Sequence, residues 1–536
     1  MLCSESSEMN HRRLSLFCLT LCCLHLSPLR AQGTPDVIFQ TRFKGPDALQ
    51  GWEGVSQSRA RLVPDAQSTQ AVQIEQPASA GQGTRMIELP LPVAKVRGVC
   101  LDFRALIKAE NVATPPQAYN GIKFMLVTEG PSGKQYPARD HLWGTFDWTP
   151  KHFRAVVPAD ATRATLVLGL EATTGRAWFR DVSVTFNARP FGGGPVAPAG
   201  HVYTGHPDIP HLRGAMISPA VTAADLHVLG GLWNANLARW QLFWITPDGR
   251  YDGWRDPKAY DAWLEGALKH LDALLPVCRR EGLRVVVDLH TPPGGNIALP
   301  GYAWPLFQKK AYQDRFAQVW DKIARRYKGD KTVWGYDLAN EPIEGDVADG
   351  LLDWHALATR TALAIRRIDP DHALIVEPGP GGGYDELPYF APLPVSNVVY
   401  SVHLYEPAPF TMQGVTPGQQ TAAVAYPGII NGVRWDRALL ARSLQVVAEY
   451  QKHYHVAIYI GEFSALRWAP GAEAWLRDAI SIFEGNGWDW SYHAFREWQG
   501  WSVEYGSDKN ANLPSAAPTD RERLLRSWYT KNVKPD

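Results

Sequence analysis

The chain has 536 residues, 45% of them hydrophobic, which is long enough for a large buried core and predicts two domains. Lysine plus arginine number 54, and aspartate plus glutamate also number 54, so the formal net charge is zero. The sequence therefore has no overall basic field to attract nucleic acid or an anionic membrane surface, and a neutral partner is favoured.

The amino terminus has the pattern of a secretory signal peptide. A basic cluster at 11–13 precedes an apolar stretch at 14–26, and a plausible cleavage end closes the segment 1–31. The apolar stretch is too short for a stable membrane helix, so a secreted or periplasmic mature chain without a membrane partner is expected. Four of the six cysteines lie in this segment. The other two, Cys100 and Cys278, fall in different predicted domains, so no disulfide framework is predicted.

Residues 35–187 are predicted to form an all-β domain. Short alternating apolar runs recur there between Gly, Pro, Asp and Ser residues, which is typical of a β-sandwich. The segments 148–150, 166–170 and 175–182 resemble jelly-roll carbohydrate-binding modules, whose aromatic side chains stack on glycans. The candidates for such stacking are Trp143, Phe146 and Trp148. A purely structural β-domain is an equally good interpretation, because this fold hosts many functions.

A Gly/Pro-rich linker at 188–200 leads into residues 201–536, where strand-like and helical patterns alternate. Eight strand-like runs separated by amphipathic stretches predict a (β/α)8 TIM barrel with loop insertions. The runs lie at 211–218, 236–243, 284–290, 333–342, 373–378, 398–405, 456–464 and 488–495. An open doubly wound sheet has little support, because the glycine-rich segment 379–383 contains a proline and opens no helix. The predicted fold class is α/β, a TIM barrel preceded by an all-β jelly-roll or sandwich domain.

Two of the predicted strands each end in a glutamate. One run ends in Asn340-Glu341-Pro342, and another carries Glu462 in Ile460-Gly461-Glu462-Phe463. The carboxyl ends of barrel strands face the active site, and the stretch between the two glutamates is long enough for three strand-and-helix units. Paired carboxylates of this kind cleave glycosidic bonds, one as acid and the other as nucleophile. A single strand-end glutamate would more often be a solvated side chain, and the second glutamate overturns that interpretation.

The two motifs resemble glycoside hydrolase family 5, the cellulase and β-mannanase family of retaining (β/α)8 barrels. The resemblance implies that Glu341 is the acid and base, that Glu462 is the nucleophile, and that no cofactor takes part. It assigns supporting or sugar-binding roles to Arg239, His290, Asn340, His403 and Tyr405. Neither an H-E-x-x-H motif nor a cysteine cluster accompanies the histidines, so no metal site is predicted.

Tryptophans are the candidates for sugar platforms. The resemblance implies an aromatic platform on the eighth strand, for which Trp498 is the choice, with His493 and Phe495 as alternatives. Four further tryptophans are predicted in loops at the top of the barrel, where they either line outer subsites or pack the loops. These are Trp254, Trp304, Trp468 and Trp501.

The predicted function is a secreted retaining hydrolase of β-linked polysaccharide or oligosaccharide, similar to endo-β-glucanases, and a monomer is expected. The alternatives are an exo-acting β-glycosidase, a β-mannanase or a glycosyl transferase on the same barrel, and a non-catalytic secreted glycan-binding protein. The loops at 292–307 and 406–431 decide between an open groove and a closed pocket. The sequence leaves the sugar, its linkage and the choice between endo and exo action open.

Overall fold

The computed structural model describes residues 36–65, 70–117, 119–131, 133–138, 142–192, 209–295, 304–345, 347–348, 350–415 and 423–535. The predicted signal peptide and residues 193–200 of the predicted linker lie outside the described residues. Within the described ranges, every helix is too short or too polar to cross a membrane.

The first part of the described chain forms two antiparallel sheets. Its elements are β1 (Val37–Thr41), β2 (Arg61–Pro64), β3 (Gln70–Gln76), β4 (Gly83–Pro90), α1 (Val93–Val96), β5 (Cys100–Val112), β6 (Gly121–Gly130), β7 (Gly133–Gln135), β8 (Gly144–Val156), β9 (Arg163–Thr173) and β10 (Gly175–Ala188). One sheet has the order β2-β3-β10-β5-β8, with β1 also paired to β10, and the other has the order β4-β9-β6-β7. Strand residues such as Ile87, Phe103, Phe124 and Leu168 are fully buried in one shared apolar core. This arrangement agrees with the predicted all-β region.

The second part contains a closed barrel of parallel strands. Its strands are β11 (Arg213–Ile217), β12 (Leu237–Gln241), β13 (Arg284–Asp288), β14 (Val333–Asp337), β15 (Ala373–Val376), β16 (Val398–Leu404), β17 (Gly428–Ile430), β18 (Val433–Trp435), β19 (Ala457–Phe463) and β20 (Asp489–Phe495). The barrel order is β11-β12-β13-β14-β15-β16-β19-β20, while β17 and β18 pair with each other as a hairpin. Each barrel strand lies within one predicted run, so the predicted fold class is confirmed.

Helices cover the outside of the barrel. They are α2 (Ala223–Leu226), α3 (Pro257–Arg280), α4 (Lys310–Tyr327), α5 (Trp354–Ile368), α6 (Ala408–Thr411), α7 (Arg437–Ser443), α8 (Gln445–Tyr454), α9 (Ala472–Asn486) and α10 (Asp520–Tyr529). The periodic stretch 437–453 predicts one helix, whereas the structure has two, which meet at Leu444. The buried residues Leu440, Leu444 and Val447 keep a helical spacing through the break, so periodicity alone does not reveal it.

The barrel interior is apolar below and polar above. On β13, Val285 and Val287 pack under the helices, while Val286 points into a separate interior cluster with Leu237 and Trp334. Successive strand residues alternate between faces, so Asp288 and Arg239, two positions after Val286 and Leu237, lie above the cluster. This interior cluster fills the lower end of the barrel. The active site is therefore expected at the carboxyl ends of the strands.

One ion-paired group joins the β-sheet domain to the barrel. Arg154 on β8 donates to Glu344 at 2.9 Å and to Asp353 at 3.0 Å. Glu344 also accepts from the backbone N–H of Trp354 at 2.7 Å, and Asp353 caps the amino terminus of α5. Because Glu344 lies three residues after Glu341, the β-sheet domain contacts the loop that follows one of the predicted catalytic residues.

Candidate active site

A fully buried arginine organises the carboxyl ends of the strands. Arg239 on β12 donates through Nη1 to Glu462 Oε1 at 2.6 Å and through Nη2 to Glu377 Oε1 at 3.1 Å. Its Nη2 also lies 2.9 Å from Asp337 Oδ2 and 3.3 Å from Asp288 Oδ2. A planar guanidinium has five N–H donors in a fixed fork, which suits it to several carboxylates at once. One cation thus holds four acidic side chains from four strands or strand ends.

Four acidic side chains share one arginine, and burial shifts the pKa of one of them, Asp337. Burial raises the pKa of Asp337 well above its ordinary value, although the Arg239 guanidinium opposes the shift, and Glu377 and Asp288 add to it. A carboxyl group in such surroundings favours its neutral form, because two like charges in a dry site repel each other. The cluster therefore favours a proton on Asp337.

Glu462 is a buried carboxylate enclosed by donors and cations. The Tyr405 hydroxyl donates to its Oε2 at 2.7 Å, and Arg239 binds its other oxygen. The Nδ1 atoms of His493 and His403 lie 3.6 and 3.9 Å from Oε2. Burial alone would raise the pKa of Glu462, but His403, then His493 and Arg239, hold it well below its ordinary value. The predicted contact of Arg239 and Tyr405 with this glutamate is present, and the group stays ionised.

Glu341 has different surroundings. Its side chain is 38% exposed, and its Oε1 is bonded to His403 Nδ1 at 2.9 Å. Its backbone lies in the left-handed region (φ 49°), and its N–H donates to Glu377 Oε2 at 2.7 Å. Such backbone is costly for a residue with a Cβ and persists where surrounding contacts hold it. The Glu377 side chain thus holds the backbone at the strand end that carries Glu341.

The two glutamates meet above the barrel. A carboxylate oxygen of Glu341, a carboxylate oxygen of Glu462 and a ring nitrogen of His403 all lie within 4.8 Å of one another. Carboxyl groups about 5 to 5.5 Å apart are typical of retaining glycosidases, whereas inverting enzymes need roughly 6.5 to 9.5 Å to admit a water molecule. An approach of two carboxylate oxygens to within 4.8 Å is compatible with the first class.

The same three side chains are of types that bind metals, but the charges around them oppose a cation. Arg239 already binds Glu462 at 2.6 Å. Burial would lower the pKa of His403, yet Glu377 and Glu462 raise it well above its ordinary value, so the ring favours the imidazolium form. A protonated imidazole donates hydrogen bonds and does not ligate metal ions. Both positive charges oppose a further cation at these three side chains.

The comparison with protein families decides the classification. Residues 208–499, more than half of the chain, match the family described as Cellulase (glycosyl hydrolase family 5). The chain belongs to glycosyl hydrolase family 5. It is therefore a glycoside hydrolase of a retaining family that acts on β-linked glycans, as the two motifs predict.

The chain is also similar to individual proteins. The chain is 27% identical over 247 residues to Endoglucanase C of Acetivibrio thermocellus, covering 41% of this chain and 71% of that protein. It is 25% identical over 233 residues to Cellodextrinase A of Ruminococcus flavefaciens, covering 42% of this chain and 66% of that protein. A solved glycoside hydrolase aligns with 60% of this chain and 100% of its own, at 22% identity and a TM-score of 0.49.

The remaining residues implied by the resemblance to family 5 also lie in this region. His290 is bonded through Nδ1 to Asp288 Oδ2 at 2.8 Å, and it packs edge-on against Phe243. The amide oxygen of Asn340 accepts from Arg239 Nη2 at 2.9 Å, which fixes the orientation of that side chain beside Glu341. Arg239 and its carboxylates therefore connect both residues to the acid pair.

The tryptophans named from the sequence fall into two groups, one buried and one exposed. Trp254 and Trp304 are only 2% and 4% exposed, so they pack the loops and line no outer subsite. Trp498 is 39% exposed and lies edge-on to Trp468 and Trp501, with ring centroids 6.0 and 5.7 Å away. Trp501 in turn lies 6.0 Å from the Tyr405 ring. The three tryptophans therefore form one partly exposed cluster beside the acid pair. The choice of Trp498 as the sugar platform stays a prediction.

Sequence reasoning missed several polar residues of the site. Asp288, Asp337 and Glu377 each end a barrel strand or follow it directly, so the strand-end rule that identified Glu341 also applies to them. His493 on β20 contacts both Tyr405 and Glu462, although the expectation placed a tryptophan there. Glu497, which bonds to His493, comes after the last barrel strand and carried no signal of its own.

Proposed function

We propose that the protein is a secreted retaining β-glycanase of the endo-β-glucanase kind, with Glu462 as nucleophile and Glu341 as acid and base. The observation that carries this proposal is the approach of the two carboxylates within 4.8 Å in unequal surroundings. Glu462 is buried among cations and stays ionised, whereas Glu341 is half-exposed. Such a pair suits one residue to attack and the other to exchange protons with solvent and substrate.

In the first step Glu462 attacks the anomeric carbon of the bound sugar. A bond forms between a Glu462 carboxylate oxygen and that carbon, while the glycosidic C–O bond breaks and Glu341 gives its proton to the leaving oxygen. Arg239 and Tyr405 keep the attacking carboxylate oriented before the reaction. The Asn340 amide, fixed by Arg239, is placed to hydrogen-bond the sugar beside the reacting carbon.

In the second step water releases the sugar. Glu341, now ionised, takes a proton from the water, whose oxygen attacks the anomeric carbon and frees the Glu462 carboxylate. His403 bonds to Glu341 at 2.9 Å and so holds the carboxylate in place through both steps. Two inversions at one carbon give net retention of the β configuration.

The relatives support a β-glucan as the substrate class. The names endoglucanase and cellodextrinase favour a β-glucan over a β-mannan, and the tryptophan cluster offers flat apolar faces for sugar rings. Secretion rests on the amino-terminal segment 1–31. For the β-sheet domain we favour a structural role, because the Arg180 guanidinium lies 4.4 Å from the Trp148 ring centroid and covers that face, and because Trp143 and Phe146 pack on the sandwich core.

A reducing-sugar assay over a panel of purified β-glycans tests the proposal. We expect the wild type to release reducing ends from β-glucans, and the first product seen by proton NMR to be the β anomer. The control for glutamate-to-glutamine variants of the site is Glu449→Gln, at an exposed glutamate of α8 that accepts a hydrogen bond from Gln445 at 2.8 Å. A protein that binds β-glycans but releases no sugar from them or from activated aryl β-glycosides contradicts the proposal.

A further inference from the structure

A row of hydrogen bonds leads from Glu497 to Glu462. Glu497 Oε2 lies 3.2 Å from His493 Nε2, and His493 Nδ1 lies 2.5 Å from the Tyr405 hydroxyl oxygen. The same hydroxyl donates to Glu462 Oε2 at 2.7 Å. The four side chains come from the loop after β20, from β20 itself, from the residue after β16 and from β19, so the fold brings together groups that are distant in the chain.

Tyr405 has one hydroxyl proton and two neighbours that compete for it. When His493 carries a proton on both ring nitrogens, Nδ1–H donates to the tyrosine oxygen, and the tyrosine proton must go to Glu462. When His493 is neutral, Glu497 accepts from Nε2–H, and Nδ1 becomes an acceptor. The neutral ring then competes with Glu462 for the tyrosine proton. The protonation of His493 therefore determines whether Glu462 has a competitor for the one proton that Tyr405 can donate.

We propose that His493, held by Glu497, is a positioning residue that directs the Tyr405 hydroxyl proton to Glu462 and thereby sets the alkaline limit of activity. The inference rests on the proposed function, in which Glu462 is the nucleophile. It assigns to Glu497 the task of stabilising the imidazolium form. Neither residue touches the substrate's reacting atoms in this proposal.

The charges around His493 agree with an imidazolium at neutral pH. It faces Glu462 on β19, Glu497 in its own loop, the Tyr405 hydroxyl after β16 and Arg239 on β12. Burial would lower the pKa of His493, but Glu462 and then Glu497 raise it above the ordinary value, while Arg239 opposes them.

The tyrosine, for its part, keeps its proton over the same pH range. Burial and then the Glu462 carboxylate raise the pKa of Tyr405 well above its ordinary value. The Trp501 ring lies 5.5 Å from the His493 ring and covers it on one side. Of the four side chains in this row, His493 is therefore the one whose loss of charge is shifted to the alkaline side of its ordinary pKa.

The test measures covalent labelling of Glu462 by an activated 2-deoxy-2-fluoro β-glycoside as a function of pH. Its leaving group needs no proton, so the titration of Glu341 does not enter the rate. In the wild type we expect the labelling rate to fall about tenfold at alkaline pH, the worth of one hydrogen bond to a charged group. Glu497→Gln removes the charge that stabilises the imidazolium, so the fall moves to lower pH. An unchanged profile in Glu497→Gln overturns the proposal, and Glu449→Gln serves as the matched control with a wild-type profile.

A second variant removes the titrating group. In His493→Asn the side-chain amide replaces Nδ1–H with a donor that does not titrate, so the alkaline fall disappears whatever the absolute rate. A retained alkaline fall in His493→Asn overturns the proposal. In a Tyr405→Phe background, Glu497→Gln should produce no further shift, because the proton that His493 directs is gone.

The wild type supplies a test that needs no variant to fold well. The proton NMR signal of His493 in histidine-labelled full-length protein should titrate at the midpoint of the alkaline fall in labelling. Two different midpoints overturn the proposal. If the wild type is never labelled at Glu462, the proposed function itself fails; if it is labelled but the variants leave the profile unchanged, only this inference fails.

Discussion

Glu341 and Glu462 are the same residue type at the ends of two barrel strands, and their surroundings differ. Glu462 is 5% exposed and lies among Arg239, the Tyr405 hydroxyl and two histidines. Glu341 is 38% exposed, bonds to one histidine side chain and stands on left-handed backbone. The difference teaches that the environment, rather than the residue type, separates a nucleophile from a proton donor.

The largest expected effect comes from removing the buried member of the pair. Glu462→Gln keeps the shape of the side chain but removes its negative charge, so no glycosyl-enzyme forms and the rate on β-glucan falls by about 10⁴-fold or more. Initial rates measure the loss, and circular dichroism checks that the variant is folded. A variant that keeps more than a few per cent of wild-type activity would remove Glu462 from the nucleophile's role.

The loss of activity on removing the exposed glutamate, Glu341, should depend on the leaving group of the substrate. Glu341→Gln removes the proton donor, so the rate on an unactivated β-glucan falls by about 10²- to 10⁴-fold. With an aryl glycoside whose leaving group needs no proton, formation of the glycosyl-enzyme should recover, as a rapid burst of released phenol. Glu462→Gln should show no such recovery, and equal responses of the two variants would end the distinction between them.

Arg239 is one of the groups that make the surroundings of Glu462 differ from those of Glu341. In Arg239→Lys a single ammonium group cannot reach Glu462, Asp337 and Glu377 in the directions that the guanidinium serves. We expect a rate about 10²-fold lower and a free energy of unfolding about 2–4 kcal/mol lower, because buried carboxylates lose their partners. Denaturant unfolding and initial rates measure both. A wild-type rate in this variant would show that the guanidinium fork does not orient the nucleophile.

A glutamate outside the site gives the smallest expected effect on activity. Glu484 at the end of α9 accepts from Arg213 at 2.6 and 2.7 Å and from Trp490 at 2.8 Å. Burial would raise the pKa of Glu484, but His211, Arg213 and Trp490 lower it to about 2. Its folded pKa is depressed, so it stabilises the fold above about pH 4.5, and this contribution is lost as pH falls toward 2.

We expect Glu484→Gln to lower the free energy of unfolding by about 2–3 kcal/mol at pH 7 while changing the rate less than twofold. The difference from the wild type should shrink as the pH of the unfolding measurement falls below 4.5. A constant difference at every pH would mean that the ion pair with Arg213 is not its cause. A large loss of activity would mean that Glu484 affects catalysis although it lies outside the active site.

The strand ends explain why much of the site could be predicted from sequence. Glu341 and Glu462 follow apolar runs that can be recognised alone, and the barrel rule then places their side chains at one end. The same rule also predicts a site position for Glu377, which directly follows β15. His493 could not be chosen over Trp498, because which side chain of β20 faces the nucleophile depends on packing that no local pattern records. Trp254 and Trp304 show an alternative that the sequence left open, since aromatic residues in a loop satisfy packing as readily as ligand binding, and their burial favours packing.

Trapping of the glycosyl-enzyme tests the central claim most directly. The protein is incubated with an activated 2-deoxy-2-fluoro β-glycoside of the best substrate sugar, and the labelled peptide is sequenced by mass spectrometry. The account predicts one sugar per chain, attached to Glu462, and no label in Glu462→Gln. A sugar attached to Glu341 or to any other residue, or full turnover without a trapped intermediate, would contradict it.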